Sequence, residues 1–376
     1  MRVDERVPLA PWTTFELGGL ASYFVEAASA DDVGEALAWA RARNLPSHVL
    51  GGGSNLVVAD EGFAGLIVAL RSRGVTVTPT SSARPSSPVP TSVPTSSPSS
   101  SGARVRVRAE AGEPWDAFVE ACVARGLAGV ECLSGIPGLV GATPVQNVGA
   151  YGQEVADTIV EVETLETRTG GLRTFTAAEC DFSYRSSRFK AAPGEHVVLA
   201  VTFELVAGPP APPRYGELST ALVDAPAPTL AAMRETVLRL RRAKSMVLDA
   251  GDPNRRSAGS FFTNPVLPAA RAQTVIERAV AEGLVASPGD VPQYPAGEGR
   301  VKLAAGWLIE RAGLQKGMRD GAFGLSTRHA LAIVHHGGGT TAELVRFACS
   351  IRDRVHGRFG VELTPEPVFL GHAWSP

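Results

Sequence analysis

Apolar positions recur along this chain with two periods, two residues and three to four, and their alternation outlines its architecture. SYFVEAAS (22–29) reads as a strand, DDVGEALAWARARN (31–44) as an amphipathic helix, and SHVLGGGSNLVV (47–58) as strand, turn, strand. VRVRAEAG (105–112) then predicts a strand and PWDAFVEACVARG (114–126) a helix. A Gly-rich stretch follows over 126–152, and then three strand patterns, TIVEVETLET (158–167), LRTFTA (172–177) and HVVLAVTFELV (196–206). The rest alternates helix patterns with shorter apolar runs. Helices are expected at LAAMRETVLRLRRAK (230–244), PAARAQTVIERAVAEG (268–283), KLAAGWLIERAG (302–313) and TAELVRFACSIRDRVHGRFG (341–360). HALAIVHH (329–336) and VELTPEPVFLG (361–371) read as strands. Alternation of this kind points to an α/β or α+β module of two lobes, followed by a further unit.

One segment breaks the pattern. Thr78–Gly102 is Ser, Thr and Pro with almost nothing apolar beyond Val89 and Val93, and Arg84 is its one charge. It has too little to bury to offset the entropy of ordering, so it is expected to be a disordered insert in one interrupted fold. The expected divisions are therefore 1–77, a first lobe; 78–102, the insert; 103–226, a second lobe; and 227–376, a separate domain.

Composition narrows the function classes. Hydrophobic residues are 44% and charged residues 20% of the 376, as in soluble globular proteins, and the length suits two or three domains. A formal net charge of −2 offers no footprint for nucleic acid or an anionic membrane. The four cysteines are scattered without a CxxC pair, and the seven histidines lack ligand spacing, so neither a disulfide framework nor a metal site is expected. The N-terminus carries acidic residues and no long apolar run, and no stretch is long enough to cross a bilayer, which makes a reducing cytoplasm the expectation.

Chemistry concentrates in five places. Gly51-Gly52-Gly53-Ser54-Asn55 lies between apolar runs, where amides free of Cβ obstruction can converge on a pyrophosphate; the residues alone equally admit a hairpin turn. The second place runs from Ser134 through Gly135, Gly138, Gly141, Ala142, Gln146, Asn147, Gly149 and Ala150 to Gly152, with no charge between Glu131 and Glu154. Small residues there let a flat ring system lie on backbone, with Gln146 and Asn147 available to its heteroatoms. YRSSRFK (184–190) sets cations beside an aromatic, which also describes a solvated basic face. SAGSFFTNP (257–265) puts a hydroxyl between glycine and two aromatics without a GxSxG elbow, and Glu366 stands between two prolines.

Taken in this order, the motifs closely resemble those of UDP-N-acetylenolpyruvoylglucosamine reductases. Thr13-Thr14-Phe15, LGGGSNLVV, GVECLSGIPGLVGATPVQNVGAYGQEV, YRSSRFK, SAGSFFTNP, KLAAGWLIERAGL and TPEP carry the resemblance across nearly the whole chain outside the insert. It implies an α+β protein with a two-lobed FAD-binding domain of the vanillyl-alcohol-oxidase (PCMH) type and a C-terminal α+β substrate-binding domain. It further implies non-covalent FAD, NADPH as hydride source, and reduction of a UDP-N-acetylglucosamine enolpyruvyl ether to UDP-N-acetylmuramate. Arg185, Ser260 and Glu366 fall at the family's catalytic positions. Tyr184, Tyr215, Lys244 and Asn264 fall where substrate is contacted, Tyr215 in a loop that covers the substrate diphosphate. A monomer is expected. Two other readings stay open on the residues: an oxidase of the same fold, although no histidine for covalent flavin stands in the Gly-rich stretches, and a non-catalytic nucleotide-sugar or flavin binder.

Overall fold

The computed structural model describes residues 1–80, 102–225 and 227–374. They divide into two compact units. One comprises Met1–Val25, Trp39–Ala69 and the chain from Arg241 on; the other comprises Glu26–Ala38 and Leu70–Leu240.

In the first unit a four-stranded sheet runs in the order Asp4–Pro8, Leu20–Ala27, Phe63–Leu70, Ser47–Leu50. FAGLIVAL (63–70) is apolar nearly throughout and buried from Gly65 to Leu70, as expected of an inner strand covered on both faces. Ser47–Leu50 lies parallel to it, pairing Leu50 with Ala69. The next strand, Leu56–Val58, belongs to a different sheet, where it pairs in parallel with Val368–Leu370. The strands flanking Gly51–Asn55 therefore do not pair with each other, which removes the hairpin reading of that loop.

Farther along, helices Ala269–Ala281, Ala305–Arg311 and Thr341–Phe359 share one core with Phe261, Phe262 and Leu303. The last helix starts in a capping box between Thr340 and Glu343 and stops at Gly360, whose φ of +63° suits glycine. Two three-stranded sheets complete this region, Val266–Pro268, Arg300–Leu303, Gln293–Pro295 and Arg319–Asp320, Phe323–Leu325, Ile333–His335. The helix expected from Lys302 begins only at Ala305, because Lys302 and Leu303 are strand residues.

The second unit is built on an antiparallel sheet ordered Leu172–Thr176, Ile159–Glu166, His196–Ala207, Arg104–Glu110, Val75–Pro79, with Leu127–Ala128 also pairing with His196–Ala207. Trp115 and Phe118 of the helix Trp115–Ala124 pack on Phe203, at ring distances of 5.8 and 4.9 Å. Cross-strand ion pairs join Arg104 to Glu204 and Arg108 to Glu163. Thr78 and Pro79, the first residues of the low-complexity segment, complete an edge strand, pairing with Arg106 and Val105. Of the rest of the expected insert, Thr80 and Gly102 are described, Thr80 N–H donating to Arg104 O at 3.1 Å, and residues 81–101 lie outside the described residues.

The architecture is α+β. All four cysteines are free thiols, and burial pushes Cys122, Cys132 and Cys180 up to about 12. Among the described residues no helix is long and apolar enough to cross a membrane, and no cluster of three metal-ligating side chains forms.

Candidate active site

Arg185 belongs to the second unit; Ser260 and Glu366 belong to the first. Each is held by a local device that its sequence explains.

Arg185 sits in a tight turn. Ser183 and Ser186 exchange two backbone hydrogen bonds of 3.1 Å, closing a two-residue connection of Tyr184 and Arg185. Arg185 adopts φ +54°, a left-handed conformation in which glycine is the comfortable residue. Its Nη2 donates to Gly149 O at 2.9 Å and Nη1 to Asn147 O at 3.5 Å, while Lys190 Nζ donates to Arg185 O at 2.9 Å. The YRSSRFK motif is thus folded back on the glycine-rich stretch, and its lysine supports its arginine.

That stretch is stiffer than its composition suggests. Tyr151 and Gly152, at φ +50° and +83°, turn a minimal hairpin between Gly149–Ala150 and Gln153–Glu154. Asn147, also left-handed at φ +46°, is buried; its Nδ2 donates to Glu154 Oε2 (2.7 Å) and Ser183 O (3.1 Å), and its Oδ1 accepts from Ala156 N–H. The Asn147 side chain is therefore employed in holding the stretch to the Arg185 turn. Ser134 is likewise buried, its hydroxyl donating to Glu131 O at 2.6 Å. Gly135 N–H donates to Asp116, which Arg234 grips with two bonds of 2.6 and 2.9 Å. Gly141 has a packing reason of its own, since a Cβ there would stand 2.5 Å from Ala111 Cβ. Tyr215 precedes the helix Gly216–Ala221, and its ring meets Tyr151 edge-on at 5.6 Å.

In the first unit, the segment after Ser260 runs antiparallel to the segment that carries Glu366. Glu366 N–H donates to Phe261 O (2.8 Å), Phe262 bridges Pro365, and Thr263 N–H donates to Thr364 O (3.0 Å). The neighbour of Ser260 and the backbone of Glu366 are thereby joined directly. Asn55 Nδ2 donates to Glu366 O at 3.3 Å, which brings the Gly51–Asn55 loop to the same place. Asn264 Oδ1 accepts from Ala305 N–H at 2.9 Å, tying the motif to the first turn of Ala305–Arg311. Lys244 follows the helix Leu230–Ala243, and the chain turns away at Ser245, φ +56°. Close by, His329 is pushed down to about 4 by burial first, then by the charges of Lys244, Lys316 and Arg241.

The residue types in both loops fit a flavin nucleotide. In the 51–55 loop, Gly53 O accepts Thr14 N–H (3.1 Å), Ser54 O accepts Thr14 Oγ1 (3.5 Å) and Asn55 O accepts Val368 N–H (2.9 Å). With three carbonyls committed to the protein, the loop's amides are what it can offer a diphosphate. In the second unit, Gly138 is half-buried and holds φ +124°, a conformation that disfavours an ordinary side chain, whereas Gly135, at φ +72°, is buried with its N–H committed to Asp116. Gly53 does not argue for the cofactor by itself, because a Cβ there would stand 1.8 Å from Trp12 O.

Sequence reasoning passed over Glu16, which pairs with both Arg255 and Arg256. Burial alone would raise its carboxyl, but the two guanidiniums outweigh that and hold it below the usual range. Glu16 and Arg255 line a cavity of about 710 Å³ with Thr13, Thr14 and Asp249; neither Ser260 nor Glu366 lines it.

Comparison with known proteins gives this site a family. Residues 21–176 match a profile described as an FAD binding domain, which places the chain among flavin-binding proteins. Residues 252–370 match the C-terminal domain of UDP-N-acetylenolpyruvoylglucosamine reductase. The reductase of Thermobifida fusca is 46% identical over 370 residues, covering 97% of each chain. That of Mycobacterium tuberculosis is 43% identical over 387 residues, covering 98% of this chain and 95% of its own. A crystal structure of the Thermus caldophilus reductase shares the fold, with a TM-score of 0.61 at 24% identity over 98% of this chain and 99% of that one. The chain belongs to the UDP-N-acetylenolpyruvoylglucosamine reductase family.

Proposed function

We propose that the protein uses FAD and NADPH to reduce the enolpyruvyl ether of UDP-N-acetylglucosamine, giving UDP-N-acetylmuramate for peptidoglycan precursor synthesis. The observation that most directly supports this reading is the direct backbone link between the Ser260 and Glu366 segments, through the 2.8 Å bond from Glu366 to Phe261. A protein that merely bound a nucleotide sugar would have no need to join the segments of Ser260 and Glu366 in one register.

Reduction adds a hydride equivalent to the terminal vinyl carbon and a proton to the α-carbon. Bound FAD supplies the two-electron exchange with NADPH, and the protein supplies position and charge. As hydride arrives, negative charge spreads over the α-carbon and the adjoining carboxylate. The Arg185 guanidinium, aimed by its bonds to Gly149 and Asn147, stabilises that charge. Where its surroundings hold it partly protonated, Glu366 donates a hydrogen bond to the same carboxylate. Ser260 Oγ–H gives its proton to the α-carbon; a serine is a weak acid, but a carbanionic carbon is a strong base.

Cofactor contacts are assigned to Gly51–Asn55 and, in the second stretch, to Ser134, Gly135, Gly138, Gly141, Ala142, Gln146, Asn147, Gly149, Ala150 and Gly152. In both loops the contact is through backbone more than side chain. Tyr184, Tyr215, Lys244 and Asn264 take the substrate, Tyr215 over the diphosphate. Residues 1–77 and 103–226 form the FAD-binding lobes, and 227–376 the substrate domain. The enzyme works as a cytoplasmic monomer.

The reading is tested with purified protein. NADPH oxidation should require the enolpyruvyl sugar nucleotide, and turnover with an alcohol and oxygen in its place would replace the reading with an oxidase. Ser260→Ala tests the proton donor. Its flavin should be reduced by NADPH at the parent rate, while reoxidation by substrate slows by about 10²–10⁴-fold, the usual loss on removing a positioned acid. Slow reduction with fast reoxidation would show instead that Ser260 positions the nicotinamide or flavin.

A further inference from the structure

We infer that Asn55 is a positioning residue for Glu366: its side-chain amide fixes the backbone that carries the acid, a task separate from any contact of the glycine loop with the cofactor. The inference rests on the catalytic role proposed for Glu366.

Within Pro365-Glu366-Pro367, the two prolines have locked φ and no N–H, so Glu366 supplies the one backbone donor. That donor goes to Phe261 O at 2.8 Å. The Glu366 carbonyl accepts from Asn55 Nδ2 at 3.3 Å, a bond spanning 311 positions in sequence. Asn55 also receives Val368 N–H on its own carbonyl at 2.9 Å, and the parallel pairing of Leu56 with Val368 starts there. Asn55 therefore touches the segment on both sides of Pro367, by side chain at Glu366 and by main chain at Val368. Phe261 and Asn55 together hold both polar backbone groups of Glu366. A carboxylate on so restrained a backbone has few ways to drift, and a shift of even an ångström at a reacting group is costly.

Asn55 serves here as a donor, which an aspartate of the same shape cannot be. Asn55→Ala removes the amide, and Asn55→Leu keeps the volume with neither the donor nor an added charge, so a folded variant is available if truncation disturbs the loop. Each is to be made in the parent and in Glu366→Gln. Flavin content, the rate of flavin reduction by NADPH and the rate of reoxidation by the enolpyruvyl substrate are read for all of them. In the parent background, with rates referred to bound flavin, both variants should reoxidise about five- to twentyfold more slowly, the effect expected of one hydrogen bond that positions a catalytic group, and that slowing should exceed any change in flavin reduction, since the loop of Asn55 is also assigned to the cofactor. In Glu366→Gln the same changes should slow reoxidation less than about twofold, because the group they position is already disabled.

Equal slowing in both backgrounds overturns the inference. So does a slowing of flavin reduction in the parent background that matches the slowing of reoxidation, since that assigns the amide to the cofactor alone. If Glu366→Gln alone reoxidises at the parent rate, the error lies in the role given to Glu366, and the two failures are told apart by that single control.

Discussion

Arg185 and Ser260 pose different problems for the chain. A left-handed backbone costs a residue other than glycine about 1–2 kcal/mol, and Arg185 is held there between Ser183 and Ser186. The stability cost and the chemistry separate cleanly in a pair of variants. Arg185→Ala and Arg185→Gly both remove the guanidinium, so both should reoxidise with substrate about 10²–10³-fold more slowly than the parent. They differ in backbone alone, and the glycine variant should resist denaturant by about 1 kcal/mol more than the alanine variant. Equal stability would mean that the turn relaxes and that the strain has no functional reading. At this scale much was legible in the sequence: YRSSRFK, SAGSFF and TPEP stand out as strings. What strings cannot hold is register. The bond from Glu366 to Phe261 and that from Asn55 to Glu366 join residues far apart in sequence, and no local period encodes them. The same limit applies to Asn147, whose amide looks available in the sequence and is engaged by Glu154 and Ser183 in the structure.

At the scale of elements, the long periodic segments were the readable ones, and the departures have physical causes. VELTPEPVFLG alternates like a strand, but Pro365 and Pro367 can donate nothing to a ladder, and the strand reduces to Val368–Leu370. KLAAGWLIERAG has a helical period throughout, yet Lys302 and Leu303 pair with flanking strands that its own pattern does not mention. The helix–loop junction around Lys244 carries a further consequence. His329 there titrates at about 4, against an ordinary 6.5, because burial and then Lys244, Lys316 and Arg241 disfavour its charged form. With the folded value below the unfolded one, the unfolded chain takes up the proton first as pH falls. The neutral imidazole's contribution is complete above pH 6.5 and is lost as pH drops from there towards 4. His329→Gln should therefore flatten the pH dependence of unfolding free energy across that window, measured by denaturant titration. His48, also lowered to about 4 by burial, should leave part of the slope in place. An unchanged slope in the variant would mean that His329 stays accessible to protons in the folded chain.

At the scale of the molecule, the outstanding oddity is a Ser/Thr/Pro segment set inside a catalytic fold. Val75–Pro79 and Arg104–Glu110 are antiparallel neighbours, and the pairing continues to the very ends, with Pro79 opposite Val105 and Thr80 N–H donating to Arg104 O at 3.1 Å. The chain thus leaves and re-enters the same edge of the sheet, where a short turn could join it. Residues 81–101 add no charge beyond Arg84 and almost no apolar surface, so little binding or packing energy can reside in them. Their length is also cheap, since loop-closure entropy grows only logarithmically. Shortening the connection about fivefold should change stability by no more than about 1.4 kcal/mol, in the stabilising direction. Replacing 81–101 with a four-residue Gly/Ser turn should then leave flavin content unaltered and turnover within about a factor of two to three. The excision must spare Thr78 and Pro79, because both belong to the edge strand. A wider deletion from Thr78 to Gly102 removes those pairings and should lower the melting temperature relative to the narrow one. Loss of FAD on the narrow deletion, with the sheet intact by circular dichroism, would show that the segment serves the cofactor site after all.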